Sequence, residues 1–371
     1  MLPNPFEKPL TDFKDTDPLK NQEIVRSLLG EGGVYKYRKI LSGTAVKQTE
    51  SNDRSLDDLR AEAAEAAQLK DRLSFEGFEA NFKKIIERCY ESQIQSLQAI
   101  GFIEKNRDEA LGFTDIENNF HEIPSLDAVQ KHFISIPGIK EKVEQGFRRL
   151  LIVPFGAPLD SLREKTIKLV LKHANEEKLL DKNNKKLELD YERVFVTASY
   201  FEGVDVGEDL VYYPETFNVI DNKGLTKRQL LSNKNIHAPF SGYHVLLLQE
   251  DMTIPREGKG NKKKDRPQLE AGESANDYLE MLKTNPTYSK EVGFTPEDWL
   301  TLFSTNLDQT NQVINNYLFK KDSIGALLGS YLLHSQSVPS AGWNCIYKHG
   351  ILFEFQPDAP LATIGALSAV A

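Results

Sequence analysis

Apolar residues in the first third of the chain recur at helical spacing. One stripe comprises Leu56, Leu59, Ala63, Ala66, Leu69 and Leu73, and a second comprises Phe78, Phe82, Ile85, Ile86, Cys89, Tyr90, Ile94, Leu97 and Ile100. Steps of three and four place these side chains on one helix face. The pattern predicts two long amphipathic helices, packed as a helical bundle or an antiparallel coiled-coil pair. Shorter helices are expected at about 20–30 and 125–147, with a break at Pro137-Gly138 in the second.

The pattern changes at about residue 149, where short apolar runs take over. Strands are predicted at 150–155, 194–197 and 243–248, and a helix from about Leu159 to Leu180. Thr295-Pro296-Glu297-Asp298 is a typical helix start, and this helix is expected to run to about Tyr317. Because strands and helices do not alternate regularly, the fold class is α+β. We therefore expect a helical N-terminal domain over 1–147 and a second domain over 148–371.

Composition narrows the class of protein. The 371 residues carry 40% hydrophobic and 27% charged side chains and a net charge of -9, which are ordinary values for a globular chain. A negative average charge disfavours nucleic-acid binding. Two separated cysteines, Cys89 and Cys345, supply neither a disulfide framework nor a cysteine-rich zinc site. Neither a secretory signal nor a transmembrane stretch is visible, so a cytoplasmic location or a place in a larger particle is expected, without a choice between them.

The common catalytic signatures are missing. There is no G-x-S-x-G elbow, no phosphate-binding loop and no dinucleotide-binding glycine pattern. His237 and His244 lie near Glu250 and Asp251, so this region is either a metal site or a surface and a strand histidine. His121 and His132 are expected to be solvated. The basic segment 256–264 reads as a mobile solvated loop, and neither cofactor nor metal is predicted.

The segment after Trp343 has apolar residues at consecutive positions, so both faces of a strand would be apolar. Its composition fits two structures equally: a central strand buried on both faces, or a recognition surface that exposes Tyr347, Ile351 and Phe353.

A resemblance favours the second structure. Leu328-Gly329-Ser330-Tyr331, Val338-Pro339, Trp343, Pro357-Asp358 and Ile364-Gly365-Ala366-Leu367-Ser368-Ala369-Val370 resemble, in order and spacing, the end of the variable proteins of diversity-generating retroelements. The segments 254–260 and 294–300 are similar to long microbial proteins that share this ending. Leu367 and Ala371 stand where the family usually has arginines, so any role of those arginines is not carried over.

The resemblance implies a C-type-lectin-like domain of the type shared with formylglycine-generating enzymes. It also implies a ligand-binding surface whose residues are mutated at template adenines. Such mutation can change an asparagine codon into codons for many other amino acids, but never into one for Lys, Glu, Gln, Met or Trp. Trp343 is therefore expected to be scaffold, and the roles of Glu354 and Gln356 are open. The ligand-binding residues implied are Leu332, Leu333, His334, Asn344, Cys345, Ile346, Tyr347, His349, Ile351, Phe353, Phe355, Ala359 and Leu361.

The function expected is therefore a ligand-binding display protein and not an enzyme, with an unidentified protein or surface ligand as its partner. The N-terminal helices would serve as a stalk or attachment, and their apolar stripe either packs inward or mediates homo-oligomerisation. The alternative is a structural or assembly protein with a fixed C-terminal subunit interface. An oxidase of the same fold needs a cysteine pair in this domain, and only Cys345 is there. Calcium is not implied, because residue 345 interrupts the Trp-Asn-Asp set of ligands.

Overall fold

The computed structural model describes residues 56–198, 201–232, 239–316 and 322–371, with side chains from residue 75 onward. The chain divides into two units, Met1–Lys70 and Asp71–Ala371. Most of the first unit, including the helix predicted at about 20–30, lies outside the described residues. None of the described helices has a stretch both long and apolar enough to cross a membrane.

Helices and strands are mixed along the chain, which confirms the α+β class. The helices are α1 Leu56–Ile100, α2 Leu126–Ser135, α3 Ile139–Glu144, α4 Leu159–Asn175, α5 Lys227–Ser232, α6 Ala275–Thr284 and α7 Pro296–Thr310, with a 3-10 turn at Pro286–Tyr288. The first strands are β1 Glu104–Lys105, β2 Leu111–Thr114, β3 Phe120–Glu122, β4 Phe147–Val153, β5 Phe195–Thr197, β6 Leu210–Tyr212, β7 Leu225–Thr226 and β8 His244–Gln249. The remaining strands are β9 Lys262–Lys263, β10 Arg266–Pro267, β11 Glu291–Gly293, β12 Ile324–Ala326, β13 Ser330–Leu332, β14 Val338–Asn344, β15 His349–Phe355, β16 Ile364–Ala366 and β17 Ser368–Val370.

The two predicted long helices are one continuous helix, α1, so the prediction of a helical pair is corrected. Gly77 lies between the two apolar stripes, and a single glycine costs a helix only about 1 kcal/mol, which does not break it. From Phe78 onward the apolar face packs into the main core, where the Phe82 ring meets Phe133 of α2 edge-on at 6.5 Å. The predicted boundary between 147 and 148 falls inside the unit Asp71–Ala371.

The break predicted at Pro137-Gly138 is confirmed, since it separates α2 from α3. Two other helices end earlier than predicted. Helix α4 stops at Asn175, just before Glu177 adopts a left-handed conformation with φ of 58°. Helix α7 stops at Thr310, where Asn311 is the left-handed cap with φ of 62°. Asparagine tolerates this conformation better than most residues, so it is a common helix terminator.

Two larger sheets form the centre of the unit. The four-stranded antiparallel sheet has the order β11-β17-β8-β4, and the five-stranded sheet has the order β16-β12-β14-β15-β5. Within the second sheet, β12 and β16 pair in parallel, β14 and β15 form an antiparallel hairpin, and β15 pairs in parallel with β5. Leu367 alone separates β16, in one sheet, from β17, in the other.

Helix α7 is buried in the core over most of its length. Every residue from Pro296 to Leu307 is buried. Thr295 and Asp298 form a capping box, which fixes the start of the helix as predicted. A hydrogen bond of 2.8 Å between the hydroxyls of Ser304 and Thr166 joins α7 to α4. The helix is enclosed although it carries polar and acidic side chains, so these groups need partners within the protein.

A buried ionic cluster lies at the first turn of α7. Lys227 Nζ of α5 is 2.6 Å from Asp205 Oδ2 and 2.8 Å from Glu297 Oε1, and all three side chains are buried. Lys227 also donates to the Ala157 carbonyl at 2.8 Å, and the Tyr212 hydroxyl donates to Glu297 Oε1 at 2.7 Å. Burial alone would lower the pKa of Lys227, but the two carboxylates raise it above its ordinary value. The ammonium therefore stays charged and compensates the charge of the two buried carboxylates.

We predict that Lys227→Met lowers the free energy of unfolding by ~3–5 kcal/mol, because removing one member of a buried ion pair leaves uncompensated charge. Urea denaturation followed by circular dichroism measures the change. Lys223→Ala is the control, since Lys223 pairs with Glu215 on the surface and its loss should leave stability close to wild type. A Lys227→Met protein as stable as the control would contradict this account.

Candidate functional site

The β14–β15 hairpin carries most of the residues that the resemblance assigns to ligand binding. Its strands pair from Val338↔Phe355 to Asn344↔His349, and residues 345–348 form the turn. Asn344 Oδ1 accepts hydrogen bonds from the amides of Ile346, at 3.0 Å, and Tyr347, at 3.1 Å. An asparagine bonded to its own following backbone is a standard way to fix a turn. This carbonyl group is therefore engaged within the protein rather than directed at a ligand.

The turn presents two large apolar side chains to solvent. Tyr347 is 65% exposed and Ile346 is 51% exposed. The Tyr347 ring stacks on the His349 imidazole with centroids 5.9 Å apart and planes inclined by 11°. This contact ties the exposed ring to a buried side chain of β15.

A neighbouring loop completes this surface. The Asp190 amide donates to the Lys348 carbonyl at 3.0 Å, and Lys348 forms an ion pair with Glu188. Tyr191, the next residue, is 58% exposed. We call Tyr191, Ile346, Tyr347 and Lys348 the tip surface. Sequence reasoning missed Tyr191, because it lies in a polar stretch that carries no periodic signal.

The thirteen residues assigned to ligand binding fall into three classes of exposure. Exposed are His334, Ile346, Tyr347 and Phe353; partly buried are Leu333, Asn344, Cys345, Ala359 and Leu361; buried are Leu332, His349, Ile351 and Phe355. The four buried side chains do not reach the surface. Leu332 and Phe355 belong to the hydrophobic core, and Ile351 lies on β15 between its two neighbouring strands.

The exposed members do not form one patch. Phe353 lies four residues beyond His349, the first residue of β15, which is about 13 Å of extended strand away from the turn. The described pairing of β15 with β5 ends at Leu352, so Phe353 is 39% exposed while Ile351 is covered. Beside this end, Glu354 Oε2 accepts hydrogen bonds from the hydroxyls of Ser335, at 2.7 Å, and Ser337, at 2.6 Å. His334 and Leu333 therefore accompany Phe353 at the opposite end of the hairpin from the tip surface.

The hairpin rests on a row of buried aromatic rings. Trp343 of β14 is completely buried and stacks on Phe303 of α7 with centroids 6.3 Å apart and planes inclined by 11°. Phe303 stacks in turn on Trp299 at 5.0 Å, and Trp299 contacts Phe195 of β5 at 6.3 Å. The Trp299 indole donates to Asn315 Oδ1 at 2.9 Å. This row fixes the hairpin on α7 from the side opposite to the exposed residues.

A buried carboxylate secures the segment beside the hairpin. Asp322 accepts hydrogen bonds from the amides of Ile254, Ser323 and Asn316, at 3.2, 2.9 and 3.2 Å. Asn316 forms a parallel bridge with Trp343, so this carboxylate helps hold the edge of β14. Burial raises the pKa of Asp322 to about 6, although the Lys182 charge and the three amides act in the opposite direction.

The candidate metal ligands do not converge. His244 is buried with Nδ1 2.9 Å from Asp298 Oδ1, and its ring stacks on Phe155 at 3.8 Å, while His237 lies outside the described residues. Across the described ranges, no group of three or more His, Cys, Asp or Glu is arranged to hold a metal ion.

His121 and His132 are partly buried rather than solvated, because each packs against an aromatic ring. The basic segment is also held, since Glu270 accepts hydrogen bonds from the amides of Gly258 and Gly260.

Comparison with known proteins gives no match: no family model, no curated protein and no solved structure is significantly similar to this chain.

We predict that Trp343→Ala lowers the free energy of unfolding by ~3–5 kcal/mol, because it leaves a cavity in the aromatic row. Tyr347→Ala should change it by less than about 0.5 kcal/mol, because that ring is mostly in solvent. Thermal and urea denaturation of both variants measure the difference. Equal losses would show that Tyr347 belongs to the core and not to a free surface.

A second prediction concerns pH. The folded Asp322 carboxyl keeps its proton up to about pH 6, whereas the unfolded carboxyl loses it near 3.8. The folded state binds more protons in this window, so the Asp322 contribution to stability is present at low pH and is lost as the pH rises. Raising the pKa of Asp322 from 3.8 to about 6 corresponds to a total loss of ~3 kcal/mol in the free energy of unfolding as the pH rises. Of this loss, ~2 kcal/mol falls between about pH 4 and pH 7.

Asp322→Asn removes this titration. The free energy of unfolding of the wild type, relative to this variant, should therefore fall by ~2 kcal/mol from about pH 4 to about pH 7. Urea denaturation at intermediate pH values measures the change. Parallel stability curves for the two proteins would contradict the assignment.

Proposed function

We propose that this chain is a ligand-binding protein whose tip surface, on the β14–β15 hairpin, is the principal contact for a partner protein or other surface ligand. The observation that carries the proposal is the exposure of Tyr347 and Ile346 on a turn whose supporting residue, Trp343, is completely buried. Exposed aromatic residues on a rigid support supply much of the energy in protein recognition, up to ~2–4 kcal/mol at a hot spot. A rigid support also lowers the entropy lost on binding.

The charges beside the rings favour a polar rim around this contact. Lys348 and Glu188 form an ion pair at the hairpin end, and Asp190 and Arg193 lie close enough to influence His349. Interfaces commonly place such charged groups around an aromatic centre. A partner surface with an apolar pocket and mixed charge at its edge would complement this arrangement.

We further propose that the chain is a variable protein of a diversity-generating retroelement, with a C-type-lectin-like domain. The support is the resemblance of residues 328–331, 338–339, 343, 357–358 and 364–370 to that family, together with the division of the hairpin into a buried support and an exposed turn. Trp343, which adenine mutation cannot produce from an asparagine codon, is buried, and Ile346 and Tyr347, which it can produce, are exposed. The same proposal gives the N-terminal part of the chain, ahead of the stretch of α1 that packs into the core, the role of a stalk or a homo-oligomer interface.

The test is a comparison of the C-terminal codons with a near-repeat of the same sequence elsewhere in the source genome. We expect such a repeat, with differences only where it carries adenine, and with changes at Ile346 and Tyr347 but not at Trp343. Without a repeat, or with differences at all four bases, the retroelement proposal fails.

The ligand-binding proposal itself is tested by two matched libraries. One randomises Tyr191, Ile346 and Tyr347, and the control randomises the buried residues Val338, Trp343 and Leu352. We expect most members of the first library to fold, and selection against an immobilised test protein to yield binders from it. Two results together would instead support the fixed subunit interface. The tip surface would tolerate no substitution, and the Tyr347→Ala variant would have a lower mass in solution than the wild type.

A further inference from the structure

A serine, a histidine and an aspartate from distant parts of the sequence meet away from the tip surface. Ser241 Oγ lies 3.0 Å from His121 Nδ1, and His121 Nε2 lies 2.6 Å from Asp115 Oδ2. The two contacts use the two nitrogens of one imidazole. The three groups thus form a continuous hydrogen-bonded chain from a hydroxyl to a carboxylate.

The β2–β3 hairpin fixes the acid and the base. Asp115 follows β2 directly, and its Oδ1 accepts the amides of Glu117 and Asn119, both at 2.8 Å. His121 lies on β3 opposite Phe113, and the two rings stack with centroids 5.4 Å apart. The imidazole is therefore held by ring stacking as well as by hydrogen bonds at both nitrogens.

A tight turn before β8 brings the serine to this histidine. Tyr243 donates to the Phe240 carbonyl at 3.1 Å, which leaves Ser241 and Gly242 at the corner of the turn. Gly242 has φ of 73°, and a Cβ at this position would lie 2.6 Å from His121 Cγ. The glycine therefore allows the turn to approach the face of the imidazole, which no other residue permits.

Access to solvent decreases along the chain of three groups. Ser241 is exposed, the His121 side chain is 10% exposed and that of Asp115 is 1% exposed. Among the described residues, the Ser241 hydroxyl has His121 as its hydrogen-bond partner. An accessible nucleophile, a nearly enclosed base and a buried acid are arranged in this order in serine hydrolases.

The protonation states are suited to activating the serine. Burial alone would raise the pKa of Asp115, but the His121 hydrogen bond and the amides of Asn119 and Glu117 lower it below its ordinary value. The ionised carboxylate accepts the proton on His121 Nε2, which leaves the lone pair of Nδ1 to accept the serine proton. The main-chain N–H of Gly242, directly after the serine, has no acceptor within the part of the chain that the structure describes. An amide at this position is one donor of the oxyanion hole in serine hydrolases.

We propose that Ser241 is an acylatable nucleophile that, with His121 as general base and Asp115 as positioning residue, cleaves small activated esters. Ser241 Oγ bonds to the ester carbonyl carbon as His121 Nδ1 takes the hydroxyl proton. The tetrahedral intermediate then collapses, the bond to the leaving oxygen breaks, and His121 returns the proton to that oxygen. Water, deprotonated by His121, hydrolyses the acyl-serine and regenerates the hydroxyl. This activity is additional to ligand binding at the tip surface and does not depend on it.

The alternative is that these bonds only fasten the β2–β3 hairpin to the turn before β8. The two roles differ in reactivity, because a structural hydroxyl is no better a nucleophile than any other surface serine. A fluorophosphonate probe tests this difference, since it forms a stable phosphonyl bond with an activated serine and releases fluoride.

The experiment treats the full chain with the fluorophosphonate and follows one added phosphonyl group by intact-mass spectrometry and peptide mapping. We expect labelling at Ser241 in the wild type and its loss in Ser241→Ala. His121→Gln should slow labelling by about 100-fold or more, the usual contribution of a general base. Ser232→Ala is the matched control and should label at the wild-type rate, because the Ser232 hydroxyl donates to the Arg228 carbonyl and has no histidine partner among the described residues.

Asp115→Asn separates positioning from structure, because its retained Oδ1 still accepts the two loop amides. We expect slower labelling with a thermal midpoint close to that of the wild type, because the amide N–H donates to His121 Nε2 and leaves the ring proton on Nδ1, where it blocks acceptance of the serine proton. With 4-nitrophenyl acetate, the wild type should release a burst of one nitrophenolate per chain. A folded wild type that stays unlabelled, or a His121→Gln protein labelled at the wild-type rate, would overturn the proposal.

Discussion

Two acidic side chains in the first turn of α7 lie in the protein interior, and the surrounding elements are arranged to neutralise them. Glu297 is bonded to Lys227 of α5 and Tyr212 of β6, and Asp298 to His244 of β8. Desolvating a carboxylate costs several kcal/mol, so each partner must be placed accurately. The N-terminal end of the helix dipole offsets part of that cost. One helical turn thereby fixes the relative positions of three elements that are far apart in sequence.

The same helix determines where the hairpin lies. Beyond its charged first turn, α7 presents Trp299 and Phe303, and the latter stacks on Trp343 of β14. The support of the tip surface is therefore built on the same helix as the ionic cluster. Because Ile346 and Tyr347 stand on a turn outside this packed region, their identity can change with little effect on the core. The proposed function requires this separation between a fixed support and a changeable surface.

Much of the local structure follows from sequence pattern, and most of what failed depends on contacts between distant residues. The strands at 150–155, 194–197 and 243–248 and the start of α7 were predictable from apolar runs and capping residues. The continuity of α1 was not, because two apolar stripes around Gly77 look the same in one helix or two. At the hairpin, Ile351 and Phe353 lie on the same face of β15, yet only Phe353 is exposed, because the described pairing with β5 ends at Leu352. The meeting of Ser241 with His121 was equally beyond sequence, since it results from a tertiary contact between β3 and the turn before β8.

The single residue between β16 and β17 has a consequence for the order of folding. Ala369 pairs with Leu248, and Ile364 pairs with Ile324, so one short segment supplies a strand to each of the two larger sheets. Contacts between residues so far apart in sequence form late, since the entropy of closing a long loop must be overcome first. Until residues 364–370 have left the ribosome, the edges of β8 and β12 that they cover remain open to other chains. We expect the nascent protein to be most prone to aggregation in that interval, when a chaperone that shields strand edges would act.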